Sequence, residues 1–311
     1  MKNKFNYDVV IVGGGISGAY LSHKLKSQGI KTVILEKSNT LGGRLSTKPV
    51  GSNLADYGCQ YLNPETIELK NLIETLEKKS LLYTIEIESG KQVYISPYGM
   101  NKIPQYLALG TPVITNELVK SIVPYKENSL TVITESLSLN TRCIVLTMPI
   151  TQVSTLLENS NIIINSLPKS YYEEFFTVTF LSEKSKHDKI IDRSRDLPWI
   201  CNNTLKGLQN KENIFTVNFS DKISKELVRL SKEERVKKIK ESLYSNGFES
   251  INKISSHFWK YAYTSSQKNI DYIYDRKSNI GVCGDSFSVG QVDGAIRSSE
   301  LIYKEIIFYI Y

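Results

Sequence analysis

The feature that most constrains the fold of this chain is an apolar run that breaks into spaced glycines near its N-terminus. Residues 7–12 read Tyr-Asp-Val-Val-Ile-Val, which is typical of a central parallel strand covered on both faces. Gly13, Gly15 and Gly18 follow with the spacing G-x-G-x-x-G. The first glycine permits a tight turn, the second lets a pyrophosphate approach the backbone, and the third lets a helix pack closely on the strand. The pattern predicts a βαβ unit that holds phosphates at a helix N-terminus.

A second apolar strand, residues 31–35, completes this unit and ends at Glu36, 18 residues after Gly18. An acid in this place can accept hydrogen bonds from the hydroxyls of a ribose. It disfavours the additional phosphate of NADP at the same place. From these residues alone, both FAD and NAD remain possible dinucleotides.

The next motif is a second glycine pair with an arginine, Gly42-Gly43-Arg44, followed by Ala-Asp-Tyr-Gly-Cys-Gln-Tyr at 55–61. The pair brings another backbone segment to a diphosphate, and the guanidinium supplies a fixed cation. This pattern resembles the flavin amine oxidase superfamily, in which a GG-R motif after the second strand marks FAD rather than NAD. The resemblance implies FAD as the cofactor.

Two late segments are expected to return to the nucleotide-binding domain, as they do in FAD proteins of this type. Residues 278–285 predict a short buried strand that ends in Gly284-Asp285, where an acid commonly holds the ribityl or phosphate region. A helix that begins near residue 292 can point its positive end at the pyrimidine part of the flavin. For Asp285 and Asp293 the alternative is a helix cap or a turn residue. Cys283 is predicted to be a core residue, so that FAD is held noncovalently.

The middle of the chain predicts a β-meander, with a hairpin at 117–134 that turns at 126–129 and a buried strand at 143–149. Within it, Val119 matches the residue whose backbone usually meets the adenine in the superfamily. The residues predicted to bind FAD lie in these loops and at the starts of these helices. They are Gly13, Gly15, Ser17, Gly18, Glu36, Lys37, Gly43, Arg44, Gly58, Gln60, Tyr61, Val119, Gly284, Asp285, Val292, Asp293 and Ala295.

Several segments resemble the renalase family, especially its short bacterial members. They are GGRLSTKPVGSNLADYGCQYLNP, YISPYGMNKIPQYL, CIVLTMPITQVSTLL, HFWKYAYTS and VCGDSFSVGQVDGAIRSSELI. The resemblance implies oxidation of 2- or 6-dihydro isomers of NAD(P)H to NAD(P)+, with hydride transfer to flavin N5 and reduction of O2 to H2O2. Residues 155–250 match this family only loosely, and they are the expected substrate region.

The predicted fold class is α/β: an FAD-binding Rossmann-type domain with three layers, a parallel sheet and a β-meander, carrying an inserted α+β substrate domain as in amine oxidases. Residues 1–61, 113–150 and 253–311 are assigned to the FAD-binding domain, and residues 62–112 and 151–252 to the substrate domain, or cap. Candidate walls of the substrate pocket are polar or aromatic, and packing in the core is the alternative for the aromatic ones. They are Gln60, Tyr61, Trp199, Trp259 and Tyr261.

Composition removes several other classes of function. The net charge of +7 is spread along the chain without a basic stripe, so no nucleic-acid partner is expected. The four cysteines are far apart and predict no metal site. With no signal peptide and an apolar tail too short to span a bilayer, the protein is expected to be cytoplasmic, without a membrane partner. His187 lies in a polar run and is expected at the surface.

Two alternatives to the renalase-like oxidase remain open. One is an amine oxidase or desaturase-like flavoenzyme acting on another small molecule. The other is a flavin-binding protein without turnover, which loss of the glycine, arginine or aspartate motifs would favour. All these motifs are intact in the sequence.

Overall fold

A computed structural model of the chain describes residues 6–125, 129–208, 210–264 and 269–310. Its first half contains β1 (Tyr7–Val12), α1 (Ile16–Ser27), β2 (Thr32–Leu35), β3 (Thr47–Val50), β4 (Asn53–Asp56), α2 (Ile67–Lys78), β5 (Tyr83–Glu86), β6 (Gln92–Ile95), α3 (Lys102–Leu107), β7 (Val113–Ile114), β8 (Ser121–Pro124) and β9 (Leu130–Ile133). Its second half contains β10 (Ser138–Leu146), α4 (Ile150–Asn159), β11 (Phe175–Ser185), β12 (Ile191–Asp192), β13 (Trp199–Asn202), β14 (Ile214–Asn218), α5 (Asp221–Arg229), α6 (Lys232–Ser245), β15 (Phe248–Trp259), β16 (Ile273–Asp275), β17 (Ile280–Val282) and α7 (Gln291–Ile310).

The larger sheet has the strand order β16-β17-β10-β1-β2-β7, and β8 and β9 extend from β10. Strands β17, β10, β1, β2 and β7 run parallel, and residues 9–12 at the centre are buried, as an all-apolar strand requires. Strand β10 serves two purposes. Its first residues pair antiparallel with β9 in the meander, and Cys143–Leu146 pair parallel with β1. The predicted Rossmann-type sheet with a meander is confirmed, although the hairpin turn predicted at 126–129 falls mainly outside the described residues.

Helices α1, α2, α3 and α7 share one apolar core on one face of this sheet, and α4 packs with the meander on the other. Helix α2 enters that core because Leu69, Leu72, Ile73 and Leu76 form one buried stripe. Residues 67–78 and 102–107, which the sequence assigned to the cap, therefore lie against the nucleotide-binding sheet. The helix fits there because its apolar stripe faces α7 rather than a second sheet.

The second sheet is antiparallel, with the order β12-β13-β14-β11-β15, and α5 and α6 cover one of its faces. That face carries buried apolar side chains such as Val178, Phe180 and Val217. The alternate residues Thr177, Thr179 and Thr216 are buried on the opposite face. We call this sheet, with α5 and α6, the cap sheet. Its last strand runs to residue 259, so the sheet includes residues 253–259, which the sequence assigned to the FAD-binding domain.

His187 is buried rather than exposed, which corrects the expectation from its polar surroundings. Its Nδ1 lies 2.6 Å from a carboxylate oxygen of Asp192, and its Nε2 lies 2.8 Å from the backbone oxygen of Asn246. Partial burial opposes ionisation of Asp192, but the hydrogen bond with His187 holds the pKa of that carboxyl below its ordinary value. The pair joins the β11–β12 connection to the residues that follow α6.

Among the described residues, no helix combines the length and the apolar character needed to cross a bilayer.

Candidate cofactor and substrate site

The glycine loop after β1 has the geometry that its spacing predicts. Gly13 has φ +112°, a conformation that favours glycine. A methyl group at Gly18 would lie 2.1 Å from the backbone oxygen of Gly13, so only glycine lets α1 pack this closely on the strand. A methyl group at Gly15 would meet no described atom within 4 Å beyond its own segment. Gly15 therefore borders open space at the start of α1.

Helix α1 begins without a side-chain cap. Gly15 is its N-cap, no described side chain accepts a hydrogen bond from its first amides, and its first turn carries no acid. The first amides of a helix need an acceptor, and together with the helix dipole they favour an anion. The open space beside Gly15 is thus bordered by helix amides that no described side chain caps and by a partial positive charge, which suits a phosphate.

The second glycine pair lies directly against this loop. The Gly42 amide donates to the backbone oxygen of Gly14 at 2.9 Å, and Gly15 and Gly42 form an isolated parallel bridge. A methyl group at Gly43 would lie 3.2 Å from the Cα atom of Gly15. The two glycine segments, separate in sequence, form one surface that we call the cradle (Gly13–Ser17 with Gly42–Arg44).

Glu36 lies at the end of β2 and is buried. Its carboxylate accepts hydrogen bonds from the amides of Gly14 (2.6 Å) and Ser38 (2.8 Å), while Lys37 beside it is exposed. The backbone oxygen of Glu36 accepts from the Glu117 amide at 3.0 Å. Val119 lies two residues beyond that contact and is buried. The structure therefore brings the predicted ribose acid and the predicted adenine contact to the same side of the cradle.

Arg44 and Asp285 connect the two ends of the chain. The guanidinium donates two parallel hydrogen bonds to the Asp285 carboxylate, at 2.5 Å and 2.6 Å. Gly284, just before it, is in the left-handed region with φ +145° and follows strand β17. Such a forked pair fixes both side chains in orientation. A cation and an acid are thereby placed together at the edge of the cradle.

Helix α7 packs against α1 through small polar side chains. The hydroxyl oxygens of Ser17 and Ser299 lie 2.6 Å apart, and the Cys283 sulfur lies 3.4 Å from Ser17. Burial raises the pKa of the Cys283 thiol to about 11, so it stays protonated at neutral pH. The residue fills the core between α1 and α7, in keeping with the sequence prediction.

Asp293 has a different environment from the one that its motif predicts. One of its carboxylate oxygens accepts hydrogen bonds from the Glu65 and Thr66 amides and from the Thr66 hydroxyl, at 2.7 to 2.9 Å. Thr66 is the N-cap of α2, so Asp293 fixes the start of that helix. Its neighbours Val292 and Ala295 pack in the core shared with α1. A contact between Asp293 and a cofactor stays a prediction.

Replacement of Asp293 by alanine separates these two roles. We expect Asp293→Ala to lower the free energy of unfolding by about 1–2 kcal/mol, because three donors at the start of α2 lose their shared acceptor. Thermal unfolding of the apoprotein measures this change, and titration with FAD measures the cofactor affinity. A large loss of FAD affinity with unchanged apoprotein stability would instead assign Asp293 to the cofactor.

Comparisons with known proteins agree with this geometry. The model of the NAD(P)-binding Rossmann-like domain family matches residues 11–76. Putrescine oxidase of Kocuria rosea is 32% identical over 93 residues, which are 30% of this chain and 19% of that protein. A solved structure of putrescine oxidase bound to putrescine aligns over 97% of this chain and 99% of its own, with a TM-score of 0.73 and 15% identity. Cyclohexylamine oxidase from Brevibacterium oxydans aligns over 98% and 99%, with a TM-score of 0.70 and 13% identity.

The chain has the FAD-binding fold of the amine oxidases. The sequence matches cover only 8 to 20% of the lengths of the first relatives, which are much longer than this chain. The sequence likeness is confined to a short part of the chain, whereas the structural likeness extends over both sheets. The amine-oxidase fold thus includes the cap sheet, which the sequence resemblance described least well.

In this amine-oxidase fold, the predicted aromatic pocket residues form three ring pairs, and Trp199 and Trp259 lie on strands of the cap sheet. The Tyr61 and Trp199 rings are 5.8 Å apart and tilted by 41°. Trp259 stacks on Tyr57 at 5.5 Å and donates its indole N–H to the Tyr57 backbone oxygen at 3.1 Å. The Tyr261 ring meets the edge of Tyr172 at 5.3 Å. Two of these pairs therefore join a tryptophan of the cap sheet to a tyrosine of the segment that follows β4.

The Gln60 side chain is held by hydrogen bonds within the protein rather than being free to contact a substrate. The Lys206 ammonium donates to its side-chain oxygen at 3.2 Å and its backbone oxygen at 3.1 Å. Lys206 also pairs with Asp56 at 2.6 Å, and both side chains are buried, with 1% and 0% exposure. Gly58 lies between Asp56 and Gln60 in the sequence. It packs so closely that a methyl group there would lie 2.0 Å from the Arg44 backbone oxygen.

The sequence reasoning missed four residues of this region. Asp56 and Tyr57 lie in the ADYGCQY segment that carried the resemblance, so their neighbourhood was visible. Lys48 lies only four residues after Arg44, yet nothing in its spacing indicated a half-buried position. Lys206 comes from a polar segment of the cap with no motif around it. Only the folded topology brings these four side chains together.

Proposed function

We propose that this protein binds FAD noncovalently and oxidises a small molecule. The fit of the cradle supports this proposal: open space beside Gly15, uncapped amides of α1 and the close approach of Gly43 leave a groove for a diphosphate. Gly13, Gly15, Ser17, Gly18, Gly43 and Arg44 would hold the diphosphate, Glu36 the ribose, and Asp285 the ribityl region. Bound FAD would supply a hydride acceptor. The chain's own residues bind it, orient it and cover it with the cap sheet, which we propose as the substrate domain.

For the donor we propose 2- or 6-dihydro isomers of NAD(P)H, as in the renalase family, with O2 as the final acceptor. The observation that carries this choice is the state of Lys206. Burial opposes its charge, but Asp56 holds the pKa of Lys206 above its ordinary value, so the side chain stays an ammonium that donates to Asp56 and Gln60 and has no lone pair to take a proton from an amine. A dihydropyridine needs no proton removal, because loss of hydride alone makes its ring aromatic. The protein then needs only to stack the donor ring at about 3–3.5 Å.

Rapid reduction of the flavin under anaerobic conditions tests this donor. We expect the 6-dihydro isomer of NADH to bleach the holoenzyme at least about 100-fold faster than putrescine or benzylamine, a difference of roughly 2.7 kcal/mol in barrier. Stopped-flow absorbance follows the bleaching, and H2O2 release in air checks turnover. Slow bleaching by the dihydropyridine together with rapid bleaching by either amine would reject the proposed donor.

Amine oxidation is the second candidate, and Lys48 favours it. Its ammonium donates to the Ser255 hydroxyl at 2.9 Å and lies 4.6 Å from the centre of the Tyr57 ring. Burial lowers the pKa of Lys48 to about 8, because the charged form loses hydration. A neutral lysine can accept a proton, so an amine oxidase using Lys48 would gain activity as the pH rises through about 8.

The pH profile therefore separates the two candidates. For the proposed dihydropyridine oxidase, we expect the rate of flavin reduction to show no rise near pH 8, because no proton is removed. Stopped-flow reduction between pH 6.5 and 9 measures this, with Lys48→Met as the matched variant. A rise near pH 8 that Lys48→Met abolishes would favour the amine oxidase.

A further inference from the structure

One row of four side chains crosses the cap sheet from β13 to β15. The strand register pairs Trp199 with Asn218, Asn218 with Thr177, and Thr177 with His257. Residues directly opposite each other on neighbouring strands project from the same face. These four side chains, which we call the donor row, therefore stand side by side over about 14 Å of the sheet.

The donor row faces the cradle side of the molecule. Thr216 lies on the same face, two residues before Asn218, and donates to the backbone oxygen of Asp56 at 2.7 Å. Ser255, two residues before His257, accepts a hydrogen bond from Lys48. Asp56 and Lys48 belong to the β3–β4 hairpin that connects Arg44 to Gly58. The opposite, apolar face of the sheet is the one covered by α5 and α6.

One donor in this row is buried without a partner, and a second free donor stands on the neighbouring strand. The indole nitrogen of Trp199 is buried and has no hydrogen-bond partner among the described residues. Asn218 uses its side-chain oxygen to accept from the Thr177 hydroxyl at 2.7 Å, which leaves its Nδ2 amide group without a partner in the described part of the chain. Buried N–H groups in folded proteins nearly always have an acceptor. The buried indole N–H of Trp199 therefore points to a ligand that supplies an acceptor, and Asn218 on the neighbouring strand offers a second donor to it.

The two tryptophans of the chain differ in this respect. The indole N–H of Trp259 is satisfied by the Tyr57 backbone oxygen, so this ring is a fixed part of the wall. The ring of Trp199 instead packs beside Tyr61 with its N–H free. Trp199 thus combines a flat apolar surface with an unused donor, which suits a flat ring that carries an acceptor.

We infer that the donor row is the part of the cap that recognises the substrate, and that it binds a flat ring bearing a carbonyl oxygen, as in a carboxamide. The inference rests on the proposed function, because a dihydronicotinamide ring carries such a carboxamide. Trp199 and Asn218 donate to the carbonyl oxygen, and Tyr61 lies beside the ring. A simple alkylamine has no acceptor oxygen and leaves both donors unpaired, which disfavours its binding.

Ligand binding to the holoenzyme tests this inference without requiring turnover. The probes are nicotinamide and 3-methylpyridine, which share the ring and differ in the carboxamide, and the flavin absorbance reports binding. We expect the wild type to prefer nicotinamide, and Trp199→Phe to reduce that preference by about 3- to 10-fold, the effect of one lost hydrogen bond. Trp259→Phe is the matched control and keeps the preference, since its N–H is used within the protein.

A second variant keeps the test decisive if Trp199→Phe does not fold. Asn218→Asp retains the acceptor for Thr177 but removes the Nδ2 donor, and we expect it to reduce the preference as well. A wild-type preference in both variants, or no preference in the wild type, overturns the inference even if dihydronicotinamides bleach the flavin. A preference for nicotinamide that depends on Trp199 or Asn218 supports the inference even if dihydronicotinamides do not bleach the flavin.

Discussion

Gly15→Val should abolish the uptake of FAD while the protein still folds. A side chain at Gly15 meets no described atom beyond its own segment, and the backbone there is extended, with φ −76° and ψ −174°, which any residue adopts. The added branches would instead occupy the space where a diphosphate must approach the first amides of α1. We expect the affinity for FAD to fall by about 100-fold or more, roughly 2.7 kcal/mol.

The measurement is titration of the apoprotein with FAD, followed by flavin fluorescence, together with urea unfolding of the apoprotein. Its free energy of unfolding should change by no more than about 1 kcal/mol, the usual difference between N-cap residues. Gly18→Ala is the informative contrast, because its methyl group would lie 2.1 Å from the Gly13 backbone oxygen and force α1 away from β1. That variant should lose stability and FAD binding together. If Gly15→Val binds FAD as the wild type does, the cradle is not the diphosphate site.

Lys206→Met should destabilise the protein more than any surface substitution. Methionine fills nearly the same volume but leaves the Asp56 carboxylate buried, with 0% exposure and no cation beside it. Loss of one partner of a buried ion pair costs about 3–5 kcal/mol. Asp56 also accepts a hydrogen bond from the Met100 amide at 2.9 Å. The substitution should therefore destabilise the segment that joins the cradle to the cap sheet.

Urea unfolding of the apoprotein measures this cost. Lys225→Met is the matched control, since Lys225 pairs with Asp221 at the surface and its loss should change stability very little. The double variant Lys206→Met with Asp56→Asn should recover part of the lost stability, because no unpaired charge then remains buried. Equal stabilities of Lys206→Met and the wild type would contradict the role assigned to this pair.

The nucleotide-binding half could be predicted from the sequence because its signals are local. Each of these signals determines structure within a few residues of its own position. They are the glycine spacing, the apolar strands and Glu36. The GG-R pair could be placed against the first loop only by resemblance, and the structure then shows the contact of Gly42 with Gly14 directly. Asp293 shows the limit of such motifs: the spacing identified an acid at a helix start, but its partners come from Glu65 and Thr66, more than 200 residues away.

The cap sheet was less predictable because its interactions are set by strand register. A polar residue such as Thr177 or His187 looks exposed in sequence, yet one lies on the buried polar face and the other bonds Asp192. Helices α5 and α6 are separate because Ser231 caps α6 in a reciprocal hydrogen-bonded pair with Glu234, an interaction that a hydrophobic period alone does not indicate. No periodic pattern indicates where Lys206 or Lys48 points.

The ion pair between Arg44 and Asp285 has a consequence for biosynthesis. Its partners are 241 positions apart, and strand β17 beside Asp285 joins the parallel sheet next to β10. A growing polypeptide can therefore fold its glycine loop early, but the far side of the groove is completed only after Asp285 has been synthesised, 241 positions beyond Arg44. Stable retention of the cofactor would then have to await β17, and a ribosome-bound chain stalled before β17 should be unable to retain it.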